Sequence, residues 1–221
     1  MTQFIGRNCN LSPHTEKEEK LMARIVLASS NRGKLKEFKS ILKLPDTDLI
    51  AQSEFGVVDA EETGCTFVEN ALIKARHATS ETELPSIADD SGLEVDALHG
   101  KPGVFSARFA GVEGRGSDAA NNLKLLAAME KVPETKRTAR FYCVIVFLRH
   151  KNDPTPIICT GVWEGFILSR EAGVNGFGYD PLFYVPSQKC TSAELDPKIK
   201  NSLSHRGQAL NKFIKCWNNL P

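Results

Sequence analysis

Two aspartates, Asp89 and Asp90, follow a short β-forming run at residues 86–88 and directly precede Ser91 and Gly92. Upstream stand two glutamates, Glu61 and Glu62. Brought together, four carboxylates repel one another unless a cation neutralises them. Hard oxygen ligands suit Mg²⁺, which takes one or two carboxylates and completes its shell with phosphate oxygens and water. Adjacent aspartates at the end of a buried strand lie where α/β sites form. The two glutamates, taken alone, read as a solvated loop.

Residues 29–34 suit a phosphate. Ser29, Ser30, Asn31, Arg32, Gly33 and Lys34 offer two hydroxyls, an amide, a flexible glycine and two cations. They join an apolar run at residues 24–28 to a helical pattern, and a helix start aims backbone N–H groups at one spot. The segment is not a P-loop, because a single glycine precedes Lys34 and Leu35 follows it. A helix cap with a solvated lysine accounts for it equally well.

Two later stretches could hold a planar base. Phe177, Gly178, Tyr179 and Asp180 set two aromatics among glycines, and base–aromatic stacking contributes ~1–3 kcal/mol. The competing reading is a turn whose aromatics fill the core. His205 and Arg206 open the last helix, with Lys200 upstream, and can donate to a carbonyl or a phosphate. Cations at a helix start oppose its dipole, and such a conflict between preference and placement points to use.

The elements that must position these groups follow from periodicity. Leu35, Phe38, Ile41 and Leu42 form one helical stripe. Thr66 and Glu69 have capping-box spacing and open a helix from Phe67 to about Ser80. Val68, Leu72 and Ala75 are its expected apolar face, with Lys74 on another side, in line with Phe67 and Ala71. Ser117 or Asp118 caps a helix with Leu123, Leu126 and Met129 inward. Residues 141–148 are apolar on both faces and so form a central strand, turned by residues 151–154 into an antiparallel partner. A last helix runs from about Arg206 to Trp217. Mixed crossover and hairpin connections predict an α/β fold: a mixed twisted β-sheet flanked by helices. Residues 1–22 read as a polar, disordered extension, and residues 23–221 as a single domain.

Composition narrows the function. Lys and Arg number 28 against 27 acidic residues, so no basic excess marks a nucleic-acid binder. Six scattered cysteines, with no zinc spacing, read as reduced thiols of a cytoplasmic protein. No apolar stretch reaches the ~18–20 residues that cross a bilayer.

Seven stretches, in order, resemble the inosine triphosphate pyrophosphatase family. They are residues 28–37, 61–64, 66–75, 87–95, 100–108, 176–181 and 204–210. The resemblance implies two lobes with a nucleotide cleft between them, a homodimer and Mg²⁺ dependence. It implies attack of water at the α-phosphate of inosine, deoxyinosine or xanthosine triphosphate, giving the monophosphate and pyrophosphate. Residues 29–34 and Lys74 would hold the phosphates, and Ser91 would touch substrate. Asp90 would accept the proton and ligate the metal, with Glu61 or Glu62 and Asp89 completing the acidic site. Phe177 and Tyr179 would sandwich the purine, and Asp180, Lys200, His205 and Arg206 would read its edge or the nearby ribose and phosphates. Ser29 stands where many relatives have threonine, and residues 112–116 look slightly longer than in close relatives. A pyrophosphatase of the Maf type, acting on pyrimidine or modified nucleotides, and a nucleotide-binding regulator without hydrolysis are the competing readings.

Overall fold

Three long antiparallel strands carry the molecule, two of them buried on both faces over most of their length. The computed structural model describes residues 23–112 and 116–219; the polar extension and most of the 112–116 loop lie outside them. Strands β3 (Ser86–Val95), β4 (Thr138–Leu148) and β5 (Ile157–Ile167) pair in sequence. The apolar run at residues 141–148 is central, as its two-sided hydrophobicity predicts, and the hairpin at residues 151–154 joins it to β5. On the other edge β1 (Ala23–Leu27) lies parallel to both β3 and β2 (Thr47–Ala51). Two short strands, β6 (Phe183–Val185) and β7 (Cys190–Thr191), complete the order β2-β1-β3-β4-β5-β6-β7.

Among the described residues five α-helices cover this sheet: α1 (Arg32–Ile41), α2 (Phe67–Thr82), α3 (Ser117–Met129), α4 (Pro197–Leu203) and α5 (His205–Trp217). The expected mixed α/β fold is the observed one. Near β1 the sheet has two cores. Ile25, Leu27, Ile87 and Ile145 pack on one face with Phe38 of α1 and Phe213 of α5. Val26, Ala88 and Val146 pack on the other face under Ala71, Ala75 and Ala78 of α2. At the far end a third core gathers Leu93, Val95, Phe141, Trp163 and Phe183 under Leu125 and Met129 of α3. The long strands pass between these cores at residues 89–92.

Three local expectations are corrected. The strand at residues 86–88 does not stop at Asp89; β3 is hydrogen-bonded to β4 without a break from Ser86 to Val95. The aspartates therefore lie in mid-strand. Their polarity resembles a turn only because the partners that satisfy them are distant in sequence. Helix α3 turns Leu123 outward, 68% exposed, and buries Asn121 and Asn122 beside Leu125 and Met129. Asn121 donates to the carbonyls of Ser106 and Ala107 and accepts from Ala110 N, so an amide replaces the apolar residue that periodicity asks for. Helix α2 likewise buries Phe67, Ala71, Ala75 and Ala78, while Val68 and Leu72 are only partly covered.

Candidate active site

Strand β1 pairs with only the first two residues of β3, Ser86 and Ile87. Beyond Leu27 the chain leaves the sheet and turns into α1, so β3 faces a cleft of about 690 Å³ at Asp90, Ser91 and Gly92, a size suited to a small ligand. The loop that leaves β1 is braced from within. Ser29 Oγ accepts from Asn31 N (3.2 Å), Asn31 Oδ1 caps α1 by accepting from Lys34 N (3.0 Å), and Ser30 Oγ donates to Asp59. Ser29, Ser30, Asn31 and Lys34 line the cleft. Arg32, expected among the phosphate ligands, is exposed on the first turn of α1 and is not part of the cleft wall.

Side chains alternate across a strand, and this separates the two aspartates. Asp90 faces α2, where Lys74 Nζ donates to its Oδ1 (2.9 Å) and to Glu62 Oε1 (2.8 Å). Arg108 Nη1 donates to Glu62 Oε2 from the short 3-10 turn Gly103–Arg108 (3.2 Å). Asp89 faces the α5 side, where it meets Lys34 Nζ (3.2 Å) and Arg206 Nη2 (3.1 Å). Lys74 therefore belongs to the buried face of α2, in line with Phe67 and Ala71.

The electrostatics push the neighbouring carboxylates apart. Burial raises the pKa of Asp90 from its ordinary value, and Lys74 and Lys34 only partly oppose it. Burial acts on Asp89 too, but Lys34, Arg206 and Lys74 overcome it and hold that carboxyl well below the range. Glu62 is also lowered, because Lys74 and Arg108 outweigh its desolvation. Lys74 itself is kept protonated by Asp90, Asp89 and Glu62 against the cost of burial. Two adjacent carboxylates with opposite shifts are the arrangement in which one serves as a base and the other as a fixed charge.

Among the described residues no three His, Cys, Asp or Glu side chains close on a point that could hold a metal ion. The expected trio of Asp89, Asp90 and Glu61 is thus not a closed ligand set: Asp89 lies across the strand in ion pairs, and Glu61 is exposed at the cleft wall. Asp90 Oδ2 is buried without a partner. An unpartnered carboxylate oxygen on Asp90, with Glu61 and Glu62 on the wall of the same cleft, fits Mg²⁺, which needs few protein ligands when phosphate and water supply the rest.

At the other end of the cleft Gly161 of β5 lets α5 start close to the sheet, since a Cβ there would collide with the carbonyl of His205. His205 stacks on Phe141 (4.7 Å between centroids, 12° between planes). Burial, with Arg206 and Lys200 nearby, holds its pKa well below 6.5, and its Nδ1 is without a partner. Arg206 is fully enclosed: Nε and Nη2 donate to Asp89 Oδ2, Nη2 also to Ser91 Oγ, and Nη1 to Glu37. Lys200 donates to Asp180 Oδ2 (2.6 Å) and Glu37 Oε1 (3.0 Å). Lys200 Nζ and the Arg206 guanidinium lie 5.0 Å and 5.8 Å from the centroid of the Phe177 ring, within cation–π range.

Phe177 and Tyr179, the expected sandwich, both line the cleft, the first half-buried and the second buried. Tyr179 is 4% exposed, packed with Leu182 and Phe183, and its hydroxyl donates to Ser106 O (2.8 Å). It braces the loop, and Phe177 and the Phe141–His205 stack also offer flat surfaces at the cleft. The loop is pinned from both sides. Asp180 Oδ2 accepts from Phe177 N (2.9 Å), while Asp118 and Asn122 of α3 grip Gly178 N and O (2.8 and 3.2 Å).

Sequence reasoning missed Glu37, Asp59, Arg108, Asp118 and Asn122 as members of this site. Only Glu37 left a local signal: it sits one turn after Lys34, on the flank of the α1 stripe.

Comparison with known proteins places the whole folded region in one family. A profile of the Ham1 family matches residues 25–216. The chain is 60% identical over 193 residues to a dITP/XTP pyrophosphatase of Vibrio parahaemolyticus, covering 87% of this chain and 96% of that protein. It is 57% identical over 200 residues to the dITP/XTP pyrophosphatase of Vibrio vulnificus, covering 90% and 99%. Among solved structures, a HAM1 protein from Coxiella burnetii superposes with a TM-score of 0.83 at 52% identity, covering 90% of this chain and all (100%) of the other. The Staphylococcus aureus Ham1 protein does so with a TM-score of 0.77 at 43% identity, covering 88% and 98%.

Proposed function

This chain belongs to the Ham1 family, and from that premise we propose that it hydrolyses inosine, deoxyinosine and xanthosine triphosphates to the monophosphate and pyrophosphate. One observation carries the reading. The Glu62–Lys74–Asp90 trio, with an unpartnered carboxylate oxygen on Asp90, shares one cleft with Ser29, Ser30, Asn31 and Lys34 of the loop after β1 and with Phe177.

The N–H groups at the start of α1, with Lys34 and Lys74, oppose the charge of the phosphates. Ordered cations and backbone donors of this kind favour the transition state when charge moves onto the leaving oxygen. Asp90 Oδ1 is fixed by Lys74, which leaves Oδ2 to take a proton from the attacking water. Its raised pKa brings it nearer to the value a general base needs. Mg²⁺, held by Asp90 with Glu61 or Glu62, would supply charge neutralisation of the phosphates and polarisation of the α-phosphoryl group. At the base end Phe177 offers a stacking face, while Lys200, His205 and Arg206 supply donors that suit a 6-oxo purine and mismatch the 6-amino group of adenine. Cytoplasmic location and a homodimer belong to the same reading, and light scattering tests the latter. Among the described residues no helix is long and apolar enough to cross a membrane.

The test is a turnover panel of purine and pyrimidine triphosphates with and without added Mg²⁺, with the phosphorus product identified. Pyrophosphate released preferentially from inosine and xanthosine triphosphates is the expected result. Preference for pyrimidines would favour a Maf-type activity, and release of orthophosphate alone, or of nothing, would overturn the assignment.

A further inference from the structure

Glu37 is a buried carboxylate that the reaction described above leaves unused. Its side chain is 12% exposed on α1, and its two oxygens serve two different cations: Oε1 accepts from Lys200 and Oε2 from Arg206. Those partners lie 163 and 169 residues away in sequence. Burial would raise the pKa of Glu37, yet Arg206 and Lys200 together lower it, so the group is a permanent anion.

Its position joins two sets of contacts. On one side Arg206 meets Asp89, which also holds Lys34 of the phosphate loop. On the other side Lys200 meets Asp180, which holds the backbone N–H of Phe177 and the hydroxyl of Ser192. Both cations reach the ring of Phe177.

Counting donors shows what Glu37 does to them. A guanidinium has five N–H groups in a rigid plane. Asp89 and Ser91 take the Nε and Nη2 donors, and Glu37 takes one of the Nη1 pair. An ammonium has three donors; Asp180 takes one and Glu37 another. Among the described residues each cation is thus left with one N–H, and Glu37 fixes where it points. A charged pair with a fixed residual donor discriminates by orientation, whereas a free cation would attract any anionic or carbonyl group.

We propose that Glu37 is a positioning residue for base selection: by holding Lys200 and Arg206 it sets the donor pattern that a 6-oxo purine must match. This deepens the reading given above and rests on it. In Glu37→Gln the amide keeps the size but presents a donor to one of the two cations, which then loses its partner and turns.

The test uses the full chain with wild type, Glu37→Gln and Glu37→Asp, measuring kcat and KM for inosine and adenosine triphosphates and inhibition by pyrophosphate. In Glu37→Gln the inosine-to-adenosine ratio of kcat/KM should fall about tenfold or more, mainly through KM for inosine triphosphate. Inhibition by pyrophosphate, which reports the phosphate end, should stay within about threefold. Glu37→Asp keeps the charge but retracts it by one methylene, so its ratio should lie in between. If Glu37→Gln lacks a cooperative thermal transition, the ratio in Glu37→Asp decides. An unchanged ratio, or equal losses with both nucleotides, overturns the positioning role while leaving the activity assignment intact. A wild type that releases pyrophosphate from no purine triphosphate removes the activity assignment, and this role with it.

Discussion

The ring of Phe177 rests against the backbone of Gly33, so that a Cβ added there would lie 2.6 Å from Cδ1 of the ring. The phosphate loop and the base loop therefore touch across the cleft. Gly33 lies in the first turn of α1, where alanine is the better helix former by about 1 kcal/mol. Gly33→Ala should raise or preserve the thermal midpoint while displacing Phe177. Loss of its stacking predicts a KM increase of about tenfold for purine triphosphates. A KM equal to that of wild type would show that the Gly33–Phe177 contact has no bearing on binding.

Asp90→Asn keeps the shape and the contact with Lys74 but removes the oxygen that can take a proton. Pyrophosphate release should fall by about 10²–10⁴-fold. The fold should persist, because the replaced carboxylate is buried with one oxygen unpartnered. Retention of most activity at saturating Mg²⁺, with an unchanged melting curve, would assign the base elsewhere.

Arg206→Ala probes more than base recognition, because the guanidinium is 2% exposed and serves both Asp89 and Glu37. Removing one partner of a buried ion pair typically costs about 3–5 kcal/mol. Lys34 and Lys200 remain to compensate in part, so the lower end applies. A fall in thermal midpoint of about 6 °C or more is expected. A midpoint within about 1 °C of wild type would show that the network contributes little to stability.

His205 gives a dependence of stability on pH. Its imidazole takes up a proton near 6.5 when unfolded, but burial and the nearby Arg206 and Lys200 keep it neutral well below that value when folded. The unfolded state thus binds the extra proton, and stability present above 6.5 is lost as the pH falls below it. The slope for one proton is at most ~1.4 kcal/mol per pH unit. His205→Gln should flatten this part of the profile, measured as denaturant midpoints from pH ~7 down to ~5. Parallel profiles for the two proteins would show that His205 titrates normally.

Much of this molecule was legible in its sequence because the signals are local. The Thr66–Glu69 capping box forms as its spacing predicts. Two-sided hydrophobicity placed β4 at the centre of the sheet, and a short turn paired it with β5. The motifs at residues 28–37, 87–95 and 204–210 carried the family resemblance, and with it the mixed α/β fold.

What only the tertiary structure decided concerns polar groups whose partners are far away. Asp89 and Asp90, expected at the end of a strand, lie within β3, since Lys34, Lys74 and Arg206 supply the charges that let two carboxylates sit within a sheet. Asn121 and Asn122 occupy an inward face of α3 because backbone carbonyls and N–H groups meet them there. Tyr179 anchors its loop through the carbonyl of Ser106, and Glu37 and Arg108 join the network through partners far along the chain. Periodicity along a chain reports which face of an element is apolar. Whether a charge on that face is tolerated depends on a counter-charge brought by another element, and only the packed fold decides that.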